Sequence, residues 1–480
     1  MKKCNSIVFN FMMNFFLTLS SIVFPLITFP YVSRILGPSG TGAVAMGISL
    51  TSYFTMVAML GIPTYGIRAC AMVRDNPEKL ASTVRELLLI NLIMGLIAYI
   101  LFYIIIIFVP SFRSSFSLYS ICSIAIFLNV IGVNWVYQAL EDYSYITSIS
   151  VLFKIIGLFL MFMFVKTKND VNSYALVTVF SSFGAGIFNF IRLRNVVGNY
   201  NVGDLNLKRH MFPIFTFFAM SIATTIYTNL DNVMLGVIRN STEVGYYNAA
   251  TKIKMVLSTL VSSLGQVLLP RLSYYVEQDN KECFNRLISK AFSFVLLFSI
   301  PCAIFFSYYA KEVINILSGP EYLSASFTMV ILMPTIVLIG FSNITGIQVL
   351  VPTGRENIVL KSVSIGAIID FVLNCIFIPY YGSNGAAIGT LVAEFSVLII
   401  QFWYLRKLVL DIVPSIEFKN LLISLLPALI LLNYVKTSFS YTDFIGLIAG
   451  ALVFFGVYTL GLIITKEEII TSVLRKDKII

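Results

Sequence analysis

A few polar and charged side chains interrupt long apolar stretches, and their types limit the chemistry available. Lys154 lies deep in one such stretch. Arg34 closes another, just after Pro30. Asn229, Asp231 and Asn232 end a third, while Asn248, Lys252 and Lys254 open the next. Asp370 and Glu394 stand alone in two later stretches. A charge in hydrocarbon costs several kcal/mol unless a partner, a cavity or an interface receives it. Cations so placed can compensate an anionic group, and carboxylates can carry a proton or a sodium ion. Asp231 and Lys252 fit either an interhelical pair or the lining of a cavity that accepts an anionic head group. Arg34 fits an interfacial anchor or a cavity cation. Lys154 fits a cavity wall or a buried pair, for which Asp370 and Glu394 are available partners. Either carboxylate could instead carry a coupling ion.

The elements that position these groups follow from composition. Of 480 residues, 58% are hydrophobic and 12% charged, about half the charge of a typical soluble domain. Apolar runs of about 20 residues, long enough to span a bilayer as helices, recur from end to end. Segments such as 87–109 lack the two-residue alternation of a membrane β-barrel. Fourteen spans are expected, at about 7–29, 42–63, 87–109, 117–138, 145–165, 171–191, 211–237, 245–269, 289–308, 323–350, 359–378, 384–404, 420–435 and 443–464. The first apolar run continues too far for a cleaved leader and reads as a retained helix. Kinks are expected at Pro25, Pro30, Pro63, Pro213, Pro334 and Pro352.

Charge orients the array. With the N-terminus inside, the outward segments hold Arg34, Arg113, Lys166, Lys168, Arg239, Lys311 and Lys436, and most of the 33 Lys and Arg lie inward. Both termini are therefore expected in the cytoplasm. The net charge of +10 then needs no nucleic-acid partner. The single histidine, His210, sits among basic residues and reads as a solvated interfacial group.

Several function classes drop out. No P-loop, HExxH or GxSxG motif is present, and six scattered cysteines form no CxxC pair. No metal or cofactor is expected. No loop is long enough for a catalytic domain, so a secondary transporter or flippase is favoured over an enzyme. A faint internal echo, Gly37 to Gly42 against Gly236 to Gly245, suggests two homologous halves, as in transporters built from repeats. The expected division is 1–200 and 201–409 as two six-helix bundles, with 410–480 adding two helices and a tail.

Three ordered strings carry a resemblance. Pro30-Tyr31-Val32-Ser33-Arg34-Ile35-Leu36-Gly37-Pro38-Ser39-Gly40-Thr41-Gly42 resembles the opening signature of bacterial polysaccharide exporters. These are the lipid-linked oligosaccharide flippases of the multidrug/oligosaccharidyl-lipid/polysaccharide superfamily. Asp231-Asn232-Val233-Met234-Leu235-Gly236, with 244–253, resembles the matching signature of the second half. The run from Ile378 through Gly382, Gly389 and Glu394 resembles the family's joint between spans 11 and 12. The resemblance implies an all-α fold of twelve to fourteen helices, two six-helix bundles in a V around a cationic cavity. It implies transfer of undecaprenyl-diphosphate-linked oligosaccharide repeats across the bacterial cytoplasmic membrane for O-antigen or capsule, with ion coupling. Arg34 and Lys252 match the signatures. Lys154, Asp231 and Asn248 join them as cavity candidates, and Asp370 and Glu394 as ion-coupling candidates. A surface-polysaccharide polymerase and chain-length regulator are the implied partners, beside membrane lipids. The rivals are a multidrug cation antiporter on the same fold and a membrane polymerase or ligase of surface sugars.

Overall fold

The computed structural model describes residues 7–198, 205–412, 418–438, 442–467 and 471. Helix is the only extended element among them, as hydrocarbon demands when every backbone polar group must bond within its own segment. Twelve helices are long and apolar enough to cross a membrane, or thirteen if the bent pair Ser241–Ser263 and Leu268–Glu277 counts as one span.

The chain divides into two compact units, Met1–Gly245 and Tyr246–Ile480. In the first, α1 (Ile7–Met59) is followed by α2 (Ile62–Ala71), α3 (Pro77–Phe108), α4 (Phe116–Gly132), α5 (Tyr143–Phe164), α6 (Val171–Phe183), α7 (Ala185–Val197) and α8 (Lys208–Ile238). A core of Ile62, Cys70, Val84, Leu87, Trp135, Val136 and Ile214 joins α2, α3, the turn before α5 and the start of α8. Many outward residues are large and apolar, among them Leu96, Phe108, Phe159 and Ile191, which are more than 60% exposed. A water-soluble surface would not carry them, and lipid accommodates them.

The expected spans 7–29 and 42–63 form one helical run, Met12–Ala71, of 60 residues. At 1.5 Å per residue that is about 90 Å, three times a hydrocarbon core. The run breaks at Gly37, with φ 66° and ψ −178°. The prolines at 25 and 30 remain inside helix. Gly37 takes the break because only glycine adopts that φ without strain, and Pro38 after it has no N–H left to satisfy. Pro63 likewise starts a helix instead of kinking one, since Gly61 at φ 76° precedes α2.

The second unit contains α9 (Ser241–Glu277, its first residues belonging to the first unit), α10 (Lys281–Tyr308), α11 (Ala310–Ser318) and α12 (Thr335–Asn343). A seven-residue π-helical stretch, Ile344–Leu350, extends α12. Then come α13 (Glu356–Tyr381), α14 (Ser383–Tyr404), α15 (Phe418–Ser438) and α16 (Asp443–Ile464). α15, the weakest of the expected spans, is a full helix of 21 residues. Lys436 near its end bonds Glu312 at 2.8 Å and the Tyr308 carbonyl at 2.8 Å, and lies over the rings of Tyr308 and Tyr309. Tyr458 of α16 donates to the Leu297 carbonyl. The last two helices are thus fastened to α10 and α11 inside the second unit.

Candidate functional site

Each unit presents its own intramembrane polar groups. In the first, Lys154 projects from α5, and its ammonium donates to Ser20 Oγ at 2.8 Å and Ser21 Oγ at 2.7 Å on α1. Two hydroxyls hold it, and no carboxylate lies within ion-pair range of it among the described residues. A hydroxyl leaves the positive charge in place, so an ammonium held this way can still attract an anion. Within the first unit, Lys154 is held by these hydroxyls and not by a carboxylate.

Arg34 is exposed, and its guanidinium donates to the Pro30 carbonyl at 2.7 Å, one turn back. A carbonyl oxygen has two lone pairs and can take this donor besides a helical backbone bond. Val32 and Ser33 beside it are buried, and Tyr31 donates to the Val165 carbonyl, so the Arg34 backbone is fixed while its side chain faces out. Asp231 is buried near the end of α8. Its neighbour Asn232 donates to Ser49 Oγ at 2.9 Å, tying α8 to α1.

In the second unit, Asn248 and Lys252 stand one turn apart on α9, both half-buried. Asp370 and Asn374 also stand one turn apart, on α13, and both are at most 2% exposed. Gly389 of α14 faces them. A Cβ there would lie 2.5 Å from Asn374 Oδ1 and 2.9 Å from Asp370 Oδ1, so glycine lets the two helices close around the carboxylate. Glu394 is buried further along α14. Thr390, between them, lies 2.8 Å from the Tyr247 hydroxyl of α9. A neutral chain follows, in which Thr345 of the π-helical stretch donates to Gln401 and Gln401 to Ser362 Oγ. The site residues thus fall in two sets: Arg34, Lys154 and Asp231 in the first unit, and Asn248, Lys252, Asp370 and Glu394 in the second.

One cluster escaped the sequence reading. His210 is 4% exposed, not solvated. Its Nε2 lies 2.7 Å from Glu86 Oε2, and its Nδ1 lies 2.7 Å from the Tyr65 hydroxyl. An ionised carboxylate only accepts, so Nε2 carries the hydrogen. Glu86 is 1% exposed and also accepts from Arg209 Nε at 2.9 Å and Nη2 at 2.5 Å. Glu86 precedes the apolar run Leu87-Leu88-Leu89-Ile90, but its partners lie more than 120 residues along the chain. No local pattern announces such a pairing.

A smaller cluster lies between α5 and α6. Asp170 accepts from the backbone N–H groups of Lys166 and Thr167 and from the Thr167 hydroxyl. These donors hold its carboxyl below the usual aspartate range. The described residues include no group of three or more His, Cys, Asp or Glu placed to hold a metal.

Comparison with known proteins agrees with this architecture. The family model described as "Polysaccharide biosynthesis protein" matches residues 7–276, and the MatE model matches residues 217–376. A "Putative O-antigen transporter" of Escherichia coli (strain K12) is 26% identical over 403 residues, covering 81% of this chain and 94% of that one. The "Capsular polysaccharide biosynthesis protein CapF" of Staphylococcus aureus is 21% identical over 295 residues, covering 59% of this chain and 73% of that one. In fold, the lipid II flippase MurJ in an inward closed conformation aligns with a TM-score of 0.71 at 16% identity, over 98% of this chain and all of that one. An inward-facing multidrug resistance MATE family transporter aligns at 0.66 and 16% identity, over 82% of this chain and 96% of that one. With a polytopic all-α body, charged groups set singly within its spans and a family model matching more than half its length, the chain belongs to the polysaccharide biosynthesis protein family, membrane transporters of the superfamily that includes MATE.

Proposed function

We propose that this chain is a flippase that moves undecaprenyl-diphosphate-linked oligosaccharide repeat units from the inner to the outer leaflet of the bacterial cytoplasmic membrane. The product would feed O-antigen or capsule assembly, with a polymerase and chain-length regulator downstream. The observation that carries this reading is Lys154, an ammonium within a span held by two hydroxyls. A diphosphate entering the bilayer must exchange its hydration for cations and hydrogen-bond donors, and Lys154 with Ser20 and Ser21 offers both. Arg34, Asp231, Asn248 and Lys252 would line the same route. The printed functions of the Escherichia coli and Staphylococcus aureus relatives support a glycan cargo.

Counting the halves of Met12–Ala71 on either side of Gly37 separately, and the bent pair as one, gives fourteen spans. An even count would put both termini on one side, and the inward excess of Lys and Arg supports the cytoplasm as that side. Six-helix bundles at 1–200 and 201–409, arranged as a V, would alternate access to a central cavity, with 410–480 accessory to them. Asp370 and Glu394 are the proposed ion-coupling carboxylates. Asp370 is the stronger, because Asn374 and the Gly389 contact give a bound cation or proton a preformed, water-poor setting.

Reconstitution tests the reading. Purified protein in liposomes containing lipid-linked oligosaccharide should expose that glycan to an external glycosidase, with no growth of the glycan chain. Drug efflux with no effect on surface glycan in a deletion strain would instead favour the multidrug antiporter. Chain growth would favour a polymerase.

A further inference from the structure

The start of α8 is held in an unusual way. Its N-cap position, Leu207, provides no side-chain cap, although the first backbone N–H groups of any helix need acceptors. Glu86 of α3 instead grips the chain on either side of that position from outside. Its Oε1 accepts from the Asn206 backbone N–H at 2.8 Å, and its Oε2 takes Arg209 and His210 from the first helical turn. A carboxylate at this end of a helix is also favoured by the helix dipole. His210 passes the connection on to Tyr65 of α2. The preceding residue, Arg85, donates to the carbonyl of Gly198, just after α7. Two adjacent residues of α3 therefore secure the chain both where it leaves α7 and where it enters α8. Beyond this anchor α8 is thinly packed. Its buried residues are His210 and Ile214 at one end and Asp231, Met234 and Leu235 at the other.

We propose that Glu86 is a positioning residue for transport, which fixes the first turn of α8 through Asn206, Arg209 and His210 and so sets the direction in which that long helix runs within the first unit. It makes no contact with cargo. Its role rests on the transporter reading above only for the consequence, since the anchor itself is a property of the fold. Glu86 is almost wholly buried and Arg209 is partly exposed. Losing either leaves the other without its counter-charge, and residues acting through one shared link respond non-additively.

The test uses the full chain in lipid nanodiscs and, in parallel, in a deletion strain. The variants are Glu86→Gln, Arg209→Gln and the pair together, with Arg113→Gln as an exposed control. Hydrogen exchange of the peptide spanning 205–212 should quicken about tenfold or more in each single variant. The double variant should be no faster than the worse single one, and the control unchanged. Surface glycan should fall to about a fifth in both single variants at normal membrane abundance. Exchange in Glu86→Gln within twofold of the native protein would overturn the anchor. Quickened exchange with undiminished export would overturn its role in positioning. If deleting the whole chain leaves surface glycan intact, the transport reading fails while the exchange result still judges the anchor.

Discussion

Lys154 is the residue on which the proposed chemistry leans most. Lys154→Ala removes an ammonium and leaves Ser20 and Ser21 behind, and export should fall about tenfold, the equivalent of one charge-assisted hydrogen bond of about 1.5 kcal/mol. Lys154→Arg keeps the charge and should retain most of the export, read as surface glycan in a deletion strain at matched membrane levels. Arg34→Ala and Lys252→Ala should each impair export as well. If Arg34 contributes charge alone, Arg34→Lys should be mild; if it grips phosphate with its planar fork, Arg34→Lys should resemble the alanine variant. Asp170 makes a different, pH-dependent prediction. Its folded carboxyl titrates lower than its unfolded one, so its contribution is present above the ordinary aspartate range and lost as pH falls through the depressed folded value. Protection of the 165–170 turn against hydrogen exchange should therefore weaken in acid, and Asp170→Asn should abolish that pH response. At this scale the sequence was a partial guide. Lys154, Asp231, Asp370 and Glu394 were visible because charge inside an apolar run is conspicuous. Glu86 and His210 were not, because each sits at the margin of a span where charge is ordinary, and only folding makes them neighbours.

Helices were more legible than their breaks. The apolar run length located many spans to within a few residues, down to Ser383–Tyr404 and Asp443–Ile464, but Pro77–Phe108 and Lys281–Tyr308 begin well before the apolar runs at 87 and 289, because helix continues past the hydrocarbon where only the apolar part is conspicuous. Kinks were expected at Pro25 and Pro30, but the break in the first long helix lies at Gly37, between the expected spans, since proline inside a helix can be tolerated whereas a φ of 66° needs glycine. The glycines of the internal echo do more than punctuate the sequence. A Cβ on Gly42 would lie 1.8 Å from the Ser241 carbonyl oxygen, and one on Gly245 would lie 2.0 Å from that of Pro38. The two echoing segments thus press backbone to backbone within the first unit. Gly42→Ala or Gly245→Ala should cost at least about 3 kcal/mol of stability, the upper range for overpacking a rigid contact, and thermal unfolding in detergent should reveal it. Normal thermal stability with either substitution would mean that the contact yields.

For the molecule as a whole, composition identified a membrane body and charge bias gave an expected orientation, but neither could say how the chain partitions. The contacts place Lys208–Ile238 with the first unit, divided from the second after Gly245, because Asn232 and the Glu86 cluster attach that helix to α1 and α3. Topology remains directly testable. Phosphatase fused after position 168 should be active outside the cytoplasmic membrane, and fused after 140 or at the C-terminus it should be inactive. An active C-terminal fusion would make the span count odd and remove the proposed topology. The accessory helices are predicted to be a fastened part of the second unit. Gly450→Leu, which drives a side chain into the Tyr309 ring, should make α15 and α16 easier to cleave by protease while leaving the first unit intact.

The π-helical stretch Ile344–Leu350 has one more consequence. A π turn is an α turn carrying a supernumerary residue, so it marks a place where the chain has one amino acid more than a regular helix requires. Removing a single residue there would let the helix close up as a plain α-helix with its downstream faces kept, whereas winding the extra residue into regular α-helix would rotate everything downstream by about 100° about the axis. The stretch therefore works as a phase setting. It absorbs its extra residue beside Thr345, whose bond to Gln401 leads on to Ser362, and a one-residue deletion that spares Thr345 should be better tolerated here than in the regular helix of α13.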